Sequence, residues 1–430
     1  MELLERIART ANESPDRPAY VQADGRLLTY ASLKCCIDDG SRSLRATNAG
    51  QPSVLARGNS IELVIDFLSS IAAGIDVLLV PGSTSSAELV AFANRLAGDA
   101  GEKTFGDLLL PTSGSTGTPK IVRRSAASLD AVAANMVEAI GFREGDRVLA
   151  AIPLAHSYGI EHGLLAPLWA GATVYLFDGL DIDAIAAAQR SFDIFPAVPS
   201  MLERLADVGT PLDALRDLRT VYSAGAPLPD AVRERFVARF GVSVGHLYGA
   251  TEIGSVTYRA GDARAGSDVG WPMRGVSIRV LDTGEIAIHG PSMFTGYLDE
   301  SPKLVDGHFL TGDIGRPTED GALALSGRSR LLIDVGGLKV NPVEVEAAIE
   351  SHAAVAECVV LPVTQSETVQ RIRAIIVPRN PALPPTIESI RAHTRSLLAP
   401  HKVPRTFEIR VTPLPRSATG KLLRSMVDDS

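Results

Sequence analysis

The sequence predicts an α/β protein: a large N-terminal domain of helix-covered sheets with a small β-rich subdomain, followed by a small α+β C-terminal domain. Three observations predict it. Between Val77 and Phe240, short β-branched runs alternate with helical patterns, the signature of largely parallel sheets covered by helices. From Val269 to Leu325, strands with turn punctuation dominate, as in GEIAIHG, GHFLTGD and GALALSG. Beyond Leu331 the pattern changes again, to helices and strands with a core of their own.

Strands are expected at Val77 to Val80, Arg147 to Ile152, Ala172 to Phe177, Thr220 to Ser223 and Ser277 to Leu281, where apolar, β-branched side chains suit a buried strand. Helices are expected at Leu129 to Ile140, Asp183 to Arg190 and Pro229 to Phe240. In the C-terminal domain a helix over Pro342 to Glu350 is entered through Asn341 as cap, with Pro342 at the first helical position. Strands at Glu357 to Leu361 and Ile372 to Val377 and a helix from Thr386 to Leu398 complete it. The expected domains are residues 1–329 and 330–430. No repeat, coiled coil or Gly/Ser linker interrupts the chain, so any hinge is short.

With 430 residues, 45% hydrophobic and 21% charged, the chain can bury a large core. A net charge of −8 offers no basic stripe for nucleic acid or anionic lipid, so phosphate binding must be local. The three cysteines, Cys35, Cys36 and Cys358, form neither a disulfide framework nor a CxxC pair, which points to a reducing compartment. MELLERIART lacks an apolar signal core, and the strongest apolar run, IAAGIDVLLVP, is short and carries Asp76. A cytoplasmic protein with no membrane span is expected.

One stretch stands out: TSGSTGTPK, residues 112–120, framed by the apolar runs DLLL and IVRR. Gly114 and Gly117 let backbone N–H groups approach an anion, Thr112, Ser113, Ser115, Thr116 and Thr118 supply hydroxyls, and Lys120 adds a positive charge. Those are the parts a polyphosphate needs. The spacing is not that of a Walker A loop, and the strand-like residues that follow offer no immediate helix N-terminus, which disfavours a P-loop NTPase. Alone, such a cluster is an ordinary surface turn. Lysine usage shifts the balance, because arginine outnumbers lysine 35 to 7, yet both this loop and the C-terminal TGK use lysine.

That C-terminal stretch is PLPRSATGKLLRS, residues 413–425, where Gly420 eases a turn before Lys421 and Arg416 and Arg424 add positive charge. Between the two lies HLYGATEIGS, residues 246–255. Glu252 beside Thr251 could hold Mg²⁺ against phosphate oxygens, and Tyr248 offers a flat face to a base. Asp313 in FLTGDIG and Arg328 in LSGRSR could bind ribose or phosphate. Each of these is weak taken singly.

The ordered set is specific, and through it the chain resembles the ANL superfamily of adenylate-forming enzymes: acyl-CoA and aryl-CoA synthetases, adenylation domains of peptide synthetases, and luciferases. TSGSTGTPK is similar to the family's phosphate loop, PLAHSYG to its aromatic-gate segment, YSAGAPLP to its adenine-side loop and YGATE to its Mg²⁺ and adenine motif. TGD, GRSRLLIDVGGLKVNPVEVE at the domain junction and PRSATGK with the family's catalytic lysine follow in order.

The resemblance implies that Thr112, Ser113, Gly114, Ser115, Thr116, Gly117 and Lys120 surround the β/γ-phosphates of ATP. Ala224, Gly225, Ala226, Pro227 and Tyr248 would sandwich adenine, Thr251 would meet the α-phosphate, and Glu252 the Mg²⁺. Asp313 and Arg328 would hold the ribose, and Lys421 would bridge the carboxylate and α-phosphate. The implied reaction has two steps: a carboxylate attacks the α-phosphorus and pyrophosphate leaves, then a thiol takes the acyl group from the adenylate, giving a thioester and AMP. The C-terminal domain of such enzymes is mobile; its hinge would fall at Arg330, where the family more often has Asp or Lys. In the thiolation pose Gly336 and Gly337, with Leu338 and Lys339, would replace Lys421 near the site and border the pantetheine tunnel.

The chain departs from the family in being compact, with a shortened N-terminal subdomain whose missing part falls between Glu88 and Phe105. The sheet edge so exposed is a candidate partner surface, for instance for a homodimer. His156 sits at the gate position, preceded by Ala155 where the family has an aromatic. The wall Tyr158 to Gly163, with Val198, Ser223 and Gly249 to Ile253, is read as small and apolar. An aryl or medium-chain acyl acid fits it better than an amino acid. The acceptor is coenzyme A or the phosphopantetheine of an acyl carrier protein supplied in trans.

Overall fold

Alternation of residues along two strands explains where the C-terminal core lies. In Val355–Ser366 and Val369–Pro378, which pair antiparallel, Cys358, Val360, Ile372, Ala374 and Ile376 face one way, while Val359, Leu361, Ile375 and Val377 face the other. The first set packs with Val345 and Ile349 of helix Pro342–Glu350 and with Ile390 of helix Ile387–Leu397. The second packs with Leu414 and Val427 of the C-terminal tail. Strand Thr406–Ile409 adds in parallel to Val369–Pro378. The Asn341 side chain caps the first helix by accepting the Val343 N–H at 3.0 Å, and Thr386 caps the second.

The computed structural model describes residues 1–47, 51–84, 86–98, 106–112, 120–188, 191–261, 267–328, 333–335, 338–366, 369–398, 402–417 and 422–427. They form two compact units: Met1–Arg279 with Ala287–Phe309 and Gly321–Leu323, and Val280–Ile286 with Leu310–Asp320 and Ala324–Ser430. The division runs through the β-rich stretch, in which Ser277–Val280, Glu285–His289, His308–Pro317 and Leu323–Arg328 neighbour one another in that order.

The first unit is built on two sheets. In the larger, Pro18–Gln22, Thr173–Leu176, Arg147–Ala150, Ile194–Ala197, Thr220–Ser223 and Val244–Ala250 run parallel, each beside the next. Gly254–Arg259 turns back antiparallel on the last of them. Both faces are buried, one by a cluster that includes Val148, Val174 and Ile194, the other by Leu149, Phe192, Phe195 and Phe236, so these strands read as continuous apolar runs. The smaller sheet orders Gly296–Tyr297, Lys120–Arg124, Leu108–Thr112, Val77–Val80 and Ser53–Ala56. Leu108–Thr112 and Lys120–Arg124 pair antiparallel, with Thr112 opposite Lys120.

Some expected elements shift. The helix expected from Leu129 begins at Ala126, because Ser125 caps it, and passes at Val137–Gly141 into a wider π turn. The one expected over Asp183 to Arg190 is the short Ile182–Ala186, entered through the Asp181 side chain. Helix Ser86–Gly98 runs into the Glu88–Phe105 stretch where the shortening was expected, and residues 99–105 lie outside the described residues. Among the described residues, no helix is long and apolar enough to cross a membrane.

Candidate active site

Glu252 is held by what surrounds it rather than by its own turn. Its backbone carbonyl accepts the Phe294 N–H at 2.7 Å, and its Oε1 accepts the Tyr297 hydroxyl at 3.0 Å. The Tyr297 ring lies under the Lys120 ammonium, 4.7 Å from its centroid. Lys120 is also ion-paired with Glu300. One aromatic side chain thus brings together two residues 132 positions apart in the sequence, Lys120 and Glu252. Tyr297 reaches them because Gly296–Tyr297 pairs with Lys120–Arg124, Tyr297 opposite Val122.

The other carboxylate oxygen of Glu252 makes no hydrogen bond among the described residues. A half-buried carboxylate with one oxygen pinned and one open suits a single-point Mg²⁺ ligand, since Mg²⁺ keeps most of its waters and takes its remaining oxygens from phosphates. No group of three or more metal-ligating side chains occurs among the described residues, and such a site needs none. Thr112 donates its hydroxyl toward the Lys120 carbonyl at 3.4 Å, across the strand pair. Ser113, Gly114, Ser115, Thr116 and Gly117 lie outside the described residues.

On the neighbouring sheet, Ala224 is buried and Gly225 takes φ +85°, a left-handed conformation that favours glycine. Gly225 and Pro227 are exposed and Ala226 is half-buried. Tyr248 is buried on Val244–Ala250. His156 is exposed at the start of the short helix Ser157–Ile160, and its carbonyl accepts the Ile160 N–H at 2.9 Å. Ala155 before it is buried.

The wall behind His156 is less apolar than the sequence suggests. Tyr158, Ile160 and Val198 are apolar and buried, but Glu161 and His162 are fully enclosed beside them. Glu161 pairs with Arg124 at 3.2 Å, with both side chains 2% exposed or less. The His162 ring lies edge-on to Tyr158, 4.5 Å between centroids. Burial pushes the His162 pKa well below its ordinary value and those of Tyr158 and Tyr222 well above theirs.

In the second unit, Asp313 is buried on His308–Pro317, and its backbone N–H donates to the Thr311 hydroxyl at 3.1 Å. Arg328 ends strand Leu323–Arg328. Gly336, Gly337, Arg330 and Lys421 lie outside the described residues, as does the side chain of Arg328. Flanking Lys421, Arg416 and Leu422 form an isolated antiparallel bridge. The two arginines there do not add free positive charge: Arg416 pairs with Glu357 at 2.7 Å, and Arg424 donates to Glu346 Oε2 at 2.6 Å and to the Val360 carbonyl at 3.0 Å.

Comparison with known proteins places the chain. Residues 108–298 match the family model of the AMP-binding enzyme, and residues 344–421 that of the AMP-binding enzyme C-terminal domain. A probable CoA ligase, CCL9 of Humulus lupulus, is 30% identical over 86% of this chain and 74% of its own length. The chain belongs to the AMP-binding enzyme family. A benzoate–CoA ligase of Thauera aromatica is 34% identical over 73% of this chain. The chain spans 64% of the length of that ligase. Among solved structures, ATP-bound MatB from Rhodopseudomonas palustris shares the fold, with a TM-score of 0.89 and 22% identity over 99% of this chain and 98% of that one.

For this member of the AMP-binding enzyme family, the sequence reading missed Tyr297, Arg124, Ser255 and the Glu346–Arg424 pair, and took the wall that holds Glu161 as apolar. Two signals were available. Arg124 shares the alternation of Lys120–Arg124 with the buried Val122, and Glu161 and His162 interrupt an otherwise apolar run, GIEHGLLAPL. Charges at inward positions demand partners, but nothing local says which.

Proposed function

We propose that this chain activates a carboxylic acid with ATP, releasing pyrophosphate and forming an acyl adenylate, then passes the acyl group to a thiol, giving a thioester and AMP. The observation that carries this reading is the Lys120–Tyr297–Glu252 arrangement: a cation and a half-open carboxylate held together beside the strand pair that frames the TSGSTGT loop. Carboxylates are poor nucleophiles and phosphates repel them, so the first step needs positioning and charge neutralisation more than a general base. In this reading Glu252 holds Mg²⁺, whose charge, when bound, offsets that of the phosphates.

Thr112, Lys120 and the loop they bracket grip the β/γ-phosphates, and Thr251 faces the α-phosphate. Ala224 to Pro227 and Tyr248 enclose adenine, Asp313 and Arg328 hold the ribose, and Lys421 neutralises the charge that builds between carboxylate and α-phosphate. His156 forms the gate. After the adenylate forms, the Gly336–Gly337 segment borders the path of the incoming thiol, with residues 330–430 moving as the C-terminal domain.

The acid is an aryl or medium-chain acyl acid without a second charge. Tyr158, Ile160 and Val198 are buried apolar groups, and the cation behind them, Arg124, is already neutralised by Glu161. The thiol is coenzyme A, and a reducing, cytoplasmic setting suits the three unpaired cysteines.

The test is pyrophosphate release with Mg-ATP against a panel of aryl and fatty acids, each with and without CoA. Release that depends on one acid class and rises strongly with CoA is expected. Acid-dependent release that CoA leaves unchanged would transfer the acceptor role to the phosphopantetheine of a separate carrier protein. No release with any acid would sink the catalytic reading.

A further inference from the structure

Four segments that carry proposed site residues are tied together by one buried hydrogen-bond chain. Glu161 lies at its centre. Its Oε1 accepts from Arg124 Nη1 at 3.2 Å and from the Ser157 hydroxyl at 3.0 Å. Its Oε2 accepts from the Ser255 N–H at 3.0 Å and the Ser255 hydroxyl at 2.7 Å. His162 Nε2 lies 3.2 Å from the same Ser255 Oγ, and its Nδ1 lies 2.5 Å from the Tyr222 hydroxyl.

The directions of these bonds follow from the carboxylate. It can only accept, so Ser255 spends its proton on Glu161 and must receive one from His162 Nε2. Burial keeps His162 neutral, so Nδ1 is an acceptor and Tyr222 donates to it. The chain therefore runs in one sense, from Tyr222 through His162 and Ser255 to Glu161.

Its anchor points bracket the turn that bears Glu252. Arg124 Nη1 also donates to the Thr251 carbonyl at 3.2 Å, at the entrance of the turn, while Glu161 grips Ser255 at its exit. Gly254 lies between them at φ +67°, where a Cβ would sit 3.0 Å from Arg124 Nη2 and 3.1 Å from Glu161 Oε1. Arg124 Nη2 is buried without a hydrogen-bond acceptor, so among the described residues Glu161 is the counter-charge this guanidinium pairs with.

We infer that Glu161 is a positioning residue for the proposed metal ligand Glu252: it fixes both ends of the 251–255 turn and cancels the Arg124 charge behind it. The inference rests on the reading of Glu252 as the Mg²⁺ ligand. Without the Glu161 charge, an uncompensated guanidinium at the Thr251 carbonyl would repel Mg²⁺, and an amide at position 161 cannot satisfy the donors of both Arg124 and Ser255. Metal-free ATP, itself an anion, would not suffer that repulsion.

Calorimetric titration with Mg-ATP, and separately with ATP in excess EDTA, tests this on the full chain alongside thermal unfolding. Glu161→Gln is expected to weaken Mg-ATP binding by about ten- to a hundredfold, as partners behind a metal ligand do, and metal-free ATP, which draws only the Thr251 contact from that turn, by no more than about threefold. Equal binding by wild type and variant, or parallel weakening of both forms, would overturn the inference and leave Glu161 a packing residue. If E161Q does not fold, Ser255→Ala, which keeps the ion pair and the backbone bond, should still weaken Mg-ATP selectively by a few-fold, and an unchanged ratio would overturn the inference. A wild-type chain that binds neither form would overturn the reading of the site together with the inference.

Discussion

Two basic segments of this molecule are held in place by different means. Strand Lys120–Arg124 lies inside a sheet, with Arg124 1% exposed and its counter-charge, Glu161, 2% exposed. The C-terminal segment from Arg416 to Arg424 is fastened from its two ends: Arg416 to Glu357, with side chains 46% and 27% exposed, and Arg424 to Glu346, at 20% and 10%. A charge sealed in a core cannot leave its partner without a large desolvation penalty. One at a surface exchanges its partner for water at small cost. Of the two tail pairs only Arg416–Glu357 is of the second kind; Arg424–Glu346, with Glu346 buried, is closer to the first.

The largest effect should come from the lysine carried by the fastened segment. Lys421→Ala is expected to lower the adenylation half-reaction by about a hundred- to a thousandfold, the loss usual when a preorganised charge-stabilising group is removed. Thiolation of a preformed adenylate should stay near wild type. Equal losses in both half-reactions would break the assignment of Lys421 to the first step.

The two ion pairs of the tail should differ in turn. Glu346→Ala strands Arg424 in a mostly buried position and should cost about 3 kcal/mol in urea unfolding of the full chain. Arg416→Ala removes a more exposed pair and should cost about 0.5 kcal/mol. Similar values for both would show that burial does not set the strength of this fastening.

The smallest effect is one of sign. Burial, aided by repulsion from Glu346 and Glu357, raises the Glu350 carboxyl from 4.5 to about 7. The folded form then holds its proton longer than the unfolded chain, so this group's contribution is present below pH 4.5 and lost as pH rises through about 7. His162 works the other way: its folded pKa lies well below 6.5, so its contribution is present above 6.5 and lost as pH falls below that value. Hydrogen exchange measured across this range should show the core around His162 loosening toward acid and helix Pro342–Glu350 loosening toward neutral pH, and Glu350→Gln should abolish only the second trend. Parallel trends in both regions would contradict the contrast.

Much of the architecture could be read locally. Helix Pro342–Glu350 follows from Asn341, Pro342 and the period of its apolar side chains, and the structure has those same bounds. The strands that frame TSGSTGT were legible, and Lys120 does open a strand rather than a helix. Helix ends were less legible where a cap lay upstream of the apolar pattern, as Ser125 does. The partners of the site residues were not legible at all. Tyr297 lies 45 positions from Glu252, Arg124 37 from Glu161 and Arg424 78 from Glu346.

The sequence by itself determined the α/β class, the order of the motifs and the residue types available for phosphate and metal chemistry, because caps, turn residues and apolar periods act over a few positions. Only the tertiary structure decided which charges are spent on the scaffold and which remain for a ligand. Arg124, Arg416, Arg424 and Lys120 look alike in a one-dimensional reading, yet Arg124 is sealed against Glu161 in the core while Lys120 pairs with Glu300 at a half-exposed position. Pairing depends on distance in space and on burial, and neither is set until distant strands have been brought side by side.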